Sequence, residues 1–251
     1  EKIKIKIGNV EIGAGAPVSI QSMTNTKTDD TLSTLNQIEK LANAGCQIIR
    51  VAVLNKKCAK SLGEIVKNSP IPVVADIQFD YRLALSAIEQ GIHALRINPG
   101  NIGSFEHTKL VVEAAKQTNT PIRIGVNAGS LEKDLYEDKT LTLEDKMVLS
   151  AKRHIKILED LNFNLIKISL KSSDVTTTIK AYQKMYEQTP YPLHLGLTEA
   201  GTKKGGVVKS SIALGALLAQ GIGDTIRVSL TEDPIEEVQL AKEILQVLNL
   251  R

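Results

Sequence analysis

Short apolar runs alternate along the chain with longer segments in which apolar residues recur every three or four positions. Near residues 30–44, for example, Leu32, Leu35 and Ile38 have the spacing of an amphipathic helix. Strands are predicted near 17–21, 47–53, 71–77, 93–98, 121–126, 164–170, 191–197 and 224–230, and helices near 30–44, 56–68, 80–90, 104–118, 143–161, 174–188, 206–220 and 233–248. Eight strands alternating with eight helices predict an α/β fold, a closed (β/α)8 TIM barrel.

The turns and the first segment favour one barrel domain over residues 1–251. Most predicted helix-to-strand turns contain Gly or Pro, such as Gly45 and Pro70, which end helices. Residues 2–12 alternate Lys and Ile and turn at Gly8 and Asn9, so they predict an N-terminal β-hairpin that closes the bottom of the barrel. The rival fold, a doubly wound open sheet, usually has a glycine fingerprint after its first strand, which is not found in QSMTNT (21–26).

Seven of the predicted strands carry charged or polar residues where a buried strand should be apolar. They are Arg50, Asp76, Arg96, Asn98, Arg123, Asn127, Lys167, Lys171, His194, Glu199, Arg227 and Ser229. Alternation places Arg96 and Asn98 on one face and Leu95 on the other, which can pack on the outer helices. The polar set should therefore point into the barrel near its carboxyl-terminal mouth, where barrel enzymes have their active sites.

This concentration of cations predicts a site for a strongly anionic ligand, since Arg and Lys are rarely buried without a partner. The alternative is a set of structural ion pairs. Asp76 and Glu199 could neutralise two of the cations, and at least four would remain. Guanidinium groups can bind an anion with several charges through paired hydrogen bonds, which would offset the repulsion among the cations.

Three weaker features leave alternatives open. The glycine-rich segment 200–210 could hold a phosphate at a helix N-terminus or be a mobile surface loop. The long loop 128–142 could be a lid or a surface excursion. Lys167 resembles a Schiff-base lysine in position, as in an aldolase, but Lys171 competes for that role.

Composition excludes several other classes of function. The net charge is only +3, and there are three Phe, five Tyr and no Trp, which argues against a nucleic-acid partner. No apolar run reaches the roughly 20 residues that span a membrane. Cys46 and Cys58 fit no zinc or iron–sulfur spacing, so we expect no metal ligands in this chain. Reduced thiols of a cytoplasmic protein are expected instead.

Long motifs on the predicted strands resemble a known enzyme family. They are QSMTNT (21–26), VADIQFDYRLAL (74–85), LRINPGNIG (95–103), IRIGVNAGSLEKDL (122–135), HLGLTEAG (194–201) and GIGDTIRVSL (221–230). Together and in this order they resemble the barrel domain of the 4-hydroxy-3-methylbut-2-enyl diphosphate synthase family, over essentially the whole chain. The fold is also similar to that of dihydropteroate synthase.

The resemblance implies an iron–sulfur oxidoreductase of the non-mevalonate isoprenoid (terpenoid) pathway. Its substrate would be 2-C-methyl-D-erythritol 2,4-cyclodiphosphate, which loses a hydroxyl and opens its ring on two-electron reduction. The residues implied to hold the substrate are Arg50, Arg96, Asn98, Arg123, Asn127, Lys171, Arg227 and Ser229. Asp76, His194 and Glu199 would line the pocket as catalytic residues, with Glu199 as the favoured proton donor to the departing hydroxyl.

The same resemblance implies partners and a cofactor that this chain would not hold by itself. Members of the family carry a 4Fe–4S cluster, reduced by flavodoxin or ferredoxin, on a C-terminal domain that we expect to be absent here. They form homodimers in which the cluster domain of one copy caps the barrel of the other. We therefore expect this chain to bind substrate without turning it over. The alternatives are a non-catalytic anion-binding barrel and a dihydropteroate-synthase-like barrel enzyme.

Overall fold

The N-terminal hairpin forms as predicted in the computed structural model, which describes residues 1–198 and 202–250. Strands β1 (Ile5–Ile7) and β2 (Val10–Ile12) pair antiparallel. The turn needs glycine, because Gly8 has a φ of +57° and a Cβ there would lie 2.8 Å from Pro72. The inward isoleucines of the hairpin pack against the amino-terminal halves of three barrel strands, so the hairpin closes the bottom of the barrel.

Eight parallel strands form the wall of the barrel. They are β3 (Ser19–Met23), β4 (Ile48–Ala52), β5 (Val73–Asp76), β6 (Ala94–Arg96), β7 (Ile122–Asn127), β8 (Ile166–Lys171), β9 (His194–Leu195) and β10 (Thr225–Ile226). Their order is β8-β7-β6-β5-β4-β3-β10-β9. A parallel bridge between Ile168 and Leu193 joins the two ends, so the strands close into the predicted barrel.

Helices follow the strands and cover the outside. Those in the described residues are α1 (Thr31–Ala44), α2 (Lys56–Asn68), α3 (Tyr81–Glu89), α4 (Phe105–Thr118), α5 (Lys133–Glu137), α6 (Leu143–Asp160), α7 (Val175–Gln188), α8 (Lys203–Ala219) and α9 (Pro234–Val247). Polar caps fix most helix starts; for example, the Asp30 side chain accepts a hydrogen bond from the Ser33 amide. Gly45 ends α1 in the left-handed conformation, with a φ of +117°.

Two segments differ from the prediction. Helix α8 begins at Lys203 instead of near 206, because Thr202 caps it by accepting a hydrogen bond from the Gly205 amide. Most of the predicted glycine-rich loop is thus helix, and its residues 200 and 201 lie outside the described part. The long loop 128–142 contains a 3₁₀ turn (Ala128–Ser130) and the short helix α5.

Candidate functional site

A cavity of about 410 Å³ opens at the carboxyl ends of the strands. The residues that line it are Arg50, Asp76, Gln78, Arg96, Arg123, Asn127, Ser130, Lys171, Leu197, Thr198, Arg227 and Ser229. Eight of them belong to the set predicted from the sequence. We call this space the arginine cavity.

Strand register brings these side chains together. Asp76 on β5 pairs with Arg96 on β6, which in turn pairs with Arg123 on β7, while Asn127 on β7 pairs with Lys171 on β8. Neighbours in register on a closed barrel lie side by side, so successive strands each add a polar group to one rim. The apolar residues between them, such as Leu95 and Ile124, are fully buried in the outer core.

Asp76 is the only carboxylate among the described lining residues, against five cations. It lies 3.6 Å from Nε of Arg50 and 3.6 Å from Nη1 of Arg96, and the Gln78 amide donates to it at 3.2 Å. The net charge of the described residues that line the cavity is therefore strongly positive. An anion that enters the cavity would meet donors fixed on rigid strands.

Burial and mutual repulsion weaken the hold of these basic groups on their protons. Burial, together with the charge of Arg227, lowers the pKa of Arg50 to about 9, and Asp76 opposes this shift. Burial and the neighbouring Arg227 also lower the pKa of Lys171 well below its usual value. An anionic ligand would reverse both effects, because opposite charge favours the protonated form.

His194 lies beneath the cavity and does not line it. It is fully buried, and its Nε2 is 3.4 Å from Nη1 of Arg123. A guanidinium group can only donate, so Nε2 accepts this hydrogen bond and Nδ1 carries the proton. Burial, then Arg123, lowers the pKa of His194 well below its usual value. The histidine is therefore a neutral support for Arg123.

Asn98 is placed differently from the other predicted residues. The side-chain amide nitrogen of Asn98 donates to the Gly125 carbonyl, and its oxygen accepts from the Gly125 amide, at 2.9 Å each. Asn98 lines a neighbouring cavity instead. Gly125 leaves room for the Arg96 guanidinium, since a Cβ there would lie 2.6 Å from its Nη2. Glu199 lies outside the described residues, so its role stays a prediction.

The two candidate Schiff-base lysines occupy different depths. Lys167 is 1% exposed and its ammonium lies 3.5 Å from Oγ1 of Thr225, below the arginine cavity. Lys171, four residues further along β8, lines the cavity. Of these two lysines, only Lys171 is placed to touch a ligand there.

The predicted site residues did not include four that complete the cavity wall: Gln78, Ser130, Leu197 and Thr198. They follow the strand ends, where alternation no longer predicts direction. Ser130 belongs to the loop that was expected to be a lid or an excursion. That loop is tied to α6, since Glu132 accepts a hydrogen bond from Ser150 at 3.0 Å and Asp134 pairs with Arg153 at 2.6 Å. Through Ser130 it forms part of the cavity wall.

The cysteines do not form a metal site. Both are buried, the Cys46 thiol contacts the Ile48 carbonyl at 3.0 Å, and burial raises the pKa of Cys46 to about 12. No group of three or more His, Cys, Asp or Glu side chains able to hold a metal ion occurs within residues 1–198 and 202–250. Within the same residues, no helix is both long and apolar enough to cross a bilayer.

Comparisons with known proteins agree with this geometry. Two solved structures share the fold. Dihydropteroate synthase from Yersinia pestis has a TM-score of 0.70 and 12% sequence identity, and the match covers 99% of this chain and 98% of that one. An N-acetylneuraminic acid synthetase from Leptospira borgpetersenii has a TM-score of 0.68 and 14% identity, and the match covers 99% of this chain and 90% of that one.

Relatives found by sequence are much more similar to this chain in sequence than these two structures are. The 4-hydroxy-3-methylbut-2-en-1-yl diphosphate synthase (flavodoxin) of Clostridium acetobutylicum is 56% identical over 246 residues, which are 98% of this chain and 70% of the relative. The enzyme of the same name from Clostridium tetani is 55% identical over 250 residues, 100% of this chain and 72% of the relative. The GcpE TIM-barrel domain matches residues 2–242, and the chain belongs to that family.

Proposed function

We propose that this chain is the substrate-binding barrel of a 4-hydroxy-3-methylbut-2-en-1-yl diphosphate synthase, an oxidoreductase of isoprenoid biosynthesis. The arginine cavity would hold the diphosphate of 2-C-methyl-D-erythritol 2,4-cyclodiphosphate. One observation carries this proposal: five cations and a single described carboxylate line one cavity. The relatives that share 55–56% of their residues with the chain have this enzyme's name.

A diphosphate suits the cavity in charge and size. Pockets for small molecules typically measure roughly 300–1,000 Å³, and this one measures about 410 Å³. Arg96 and Arg123 extend from adjacent strands in register, so two guanidinium forks lie side by side. Forks of this kind recognise phosphate oxygens through two parallel hydrogen bonds. A neutral sugar would leave the cations unbalanced.

The chain's own residues would bind and orient the substrate. Asn127 and Ser229 add neutral polar groups to the cavity wall and can bond to phosphate or hydroxyl oxygens. His194, held neutral, would keep Arg123 directed at the ligand. Glu199, which the family resemblance assigns as proton donor to the departing hydroxyl, keeps that proposed role, and Asp76 would face the same substrate.

The cofactor implied by the family does not fit the described residues. A 4Fe–4S cluster needs several thiolates together, whereas Cys46 and Cys58 are buried and no ligand group is found in the described ranges. The family resemblance places the cluster ligands on a C-terminal domain, and that placement stays a proposal.

The partners are proposed on similar grounds. The relatives' names specify flavodoxin, which supports flavodoxin over ferredoxin as the electron donor. Large apolar side chains are exposed after the strand ends, with Leu54 72% and Phe79 74% accessible. These exposed groups support the homodimer in which a second copy covers the mouth of the barrel.

Calorimetric titration of this chain tests the binding role. The cyclic diphosphate and inorganic diphosphate should both bind, and Arg227→Ala should weaken binding by about 2–4 kcal/mol. Arg82→Ala is the matched control, since Arg82 is exposed and paired with Asp80 away from the cavity. Equal affinity for wild type and Arg227→Ala would overturn the proposal.

Assays on the full-length gene product distinguish an enzyme from a non-catalytic anion-binding barrel. An iron and sulfide assay combined with turnover of the cyclic diphosphate under reduced flavodoxin should be positive. Binding without iron or turnover would favour the non-catalytic anion-binding barrel. In the full-length enzyme, Glu199→Gln should retain binding and slow turnover.

A further inference from the structure

The barrel wall between β8 and β9 keeps one register along its length. Near the bottom, the Ile168 amide donates to the Pro192 carbonyl at 3.0 Å. Near the cavity, the Thr198 amide donates to the Ser172 carbonyl at 3.1 Å. Hydrogen bonds between parallel strands are evenly spaced, so further rungs are expected between these two, one of them from the Leu170 amide.

A side chain occupies one of these rungs. In a regular ladder the Leu170 amide would donate to the His194 carbonyl. Instead, the hydroxyl of Tyr182 from α7 accepts from the Leu170 amide at 3.0 Å and donates to the His194 carbonyl at 2.5 Å. Tyr182 is fully buried, and burial raises its pKa, so the hydroxyl stays protonated and able to donate.

The inserted hydroxyl bonds to the residue that precedes a cavity cation. Lys171 follows Leu170 on β8 and lines the arginine cavity. On the opposing strand, Gly196 lies close to it: a Cβ at Gly196 would be 3.2 Å from Cε of Lys171 and 3.0 Å from the Arg227 carbonyl. The Lys171 side chain therefore occupies a narrow space that depends on the separation of β8 and β9.

We propose that Tyr182 is a positioning residue that spreads β8 from β9 at this rung and thereby sets the place of the Lys171 ammonium in the cavity. The assignment rests on the proposed anion-binding function. Without the hydroxyl, the Leu170 amide can bond directly to the His194 carbonyl. The strands then approach, and Lys171 loses its place above Gly196.

The compared variants are Tyr182→Phe and Tyr191→Phe, each of which removes one phenol hydroxyl and keeps the ring. Tyr191 is 5% exposed and lines a cavity with Lys2 at the bottom of the barrel, at the end opposite the arginine cavity. A general loss of rigidity would affect ligand binding in both variants. A positioning role predicts an effect for Tyr182→Phe alone.

A double-mutant cycle with Lys171→Ala tests the assignment by calorimetry with inorganic diphosphate. Tyr182→Phe should weaken binding about three- to tenfold, as for the misalignment of one hydrogen-bonded contact. In the Lys171→Ala background it should have no further effect, because the group it positions is gone. Tyr191→Phe should bind like wild type.

Three results would overturn the assignment: unchanged affinity in Tyr182→Phe, an equal loss in the Lys171→Ala background, or an equal loss in Tyr191→Phe. If Tyr182→Phe does not fold by circular dichroism, Gly196→Ala displaces Lys171 from the other side and should also weaken binding; unchanged affinity there overturns the assignment too. A wild-type chain that does not bind diphosphate would overturn the proposed function itself, and the positioning role with it.

Discussion

Replacing Arg123 by methionine should make the ligand-free protein more stable and the ligand complex weaker. Arg123 is only 3% exposed, and its Nε has no hydrogen-bond partner among the described residues. Burial, and then the charges of Arg50 and Arg96, lower its pKa well below the usual value. Its charge therefore opposes folding until an anion arrives.

The size of the effect follows from the cost of buried charge. Replacing buried ionic groups with apolar residues of similar volume is often stabilising by about 1–4 kcal/mol. Because Arg123 keeps one contact, with His194 at 3.4 Å, we expect Arg123→Met to raise the free energy of unfolding by about 1–2 kcal/mol. For a domain of this size that corresponds to an increase in Tm of roughly 2–8 °C. Diphosphate affinity should fall by about 2–4 kcal/mol.

Urea denaturation followed by circular dichroism measures the first quantity, in a buffer free of phosphate and sulfate. Calorimetry with inorganic diphosphate measures the second. Arg82→Met is the control, because Arg82 is exposed and forms a surface pair with Asp80 at 2.9 Å; its unfolding free energy should stay within about 0.5 kcal/mol of wild type. A ligand-free Arg123→Met protein that is less stable than wild type by 1 kcal/mol or more would refute the reasoning, since the arginine would then be structural.

Three further changes should behave as follows. Asp76→Asn should lower the ligand-free unfolding free energy by about 2 kcal/mol or more in urea titrations, because it removes the carboxylate between Arg50 and Arg96. The pKa of His194 is lowered in the folded state, so the unfolded chain takes up a proton first as the pH falls. The free energy of unfolding should therefore decrease as the pH drops below about 6.5. His194→Gln should remove up to about 1.4 kcal/mol per pH unit of that dependence. Cys46, whose pKa is raised to about 12, should react with a thiol reagent at pH 8 only after denaturant is added.

Local patterns were sufficient to predict the fold and most of the cavity wall. The alternation of side chains along β6 and β7 separates Arg96 and Arg123 from Leu95 and Ile124, and the structure places them on opposite faces. Parallel strands present their carboxyl ends at one rim, so residues distant in sequence could be grouped without knowing any contact.

The depth of a side chain in the barrel and its hydrogen-bond partners could not be predicted from the sequence. Asn98 and His194 share a face with cavity residues, yet Asn98 is taken by the Gly125 backbone and His194 lies beneath Arg123. Alternation gives the face of a strand but not the height of a side chain along the barrel axis. The position of the Tyr182 hydroxyl between β8 and β9 could not be predicted either, because a side chain from a helix takes the place of a backbone hydrogen bond between two strands.

Local charge, and not net charge, explains the selectivity proposed for this barrel. The chain carries a net charge of only +3, yet five cations share one cavity with Asp76. Bulk charge of that size would barely attract a dianion, whereas cations packed in a partly desolvated cup attract it strongly and repel one another when it is absent. The hairpin and outer core must supply the stability that this repulsion removes. Ligand binding and folding are therefore coupled through the same side chains, so substitutions that relieve the repulsion should weaken binding.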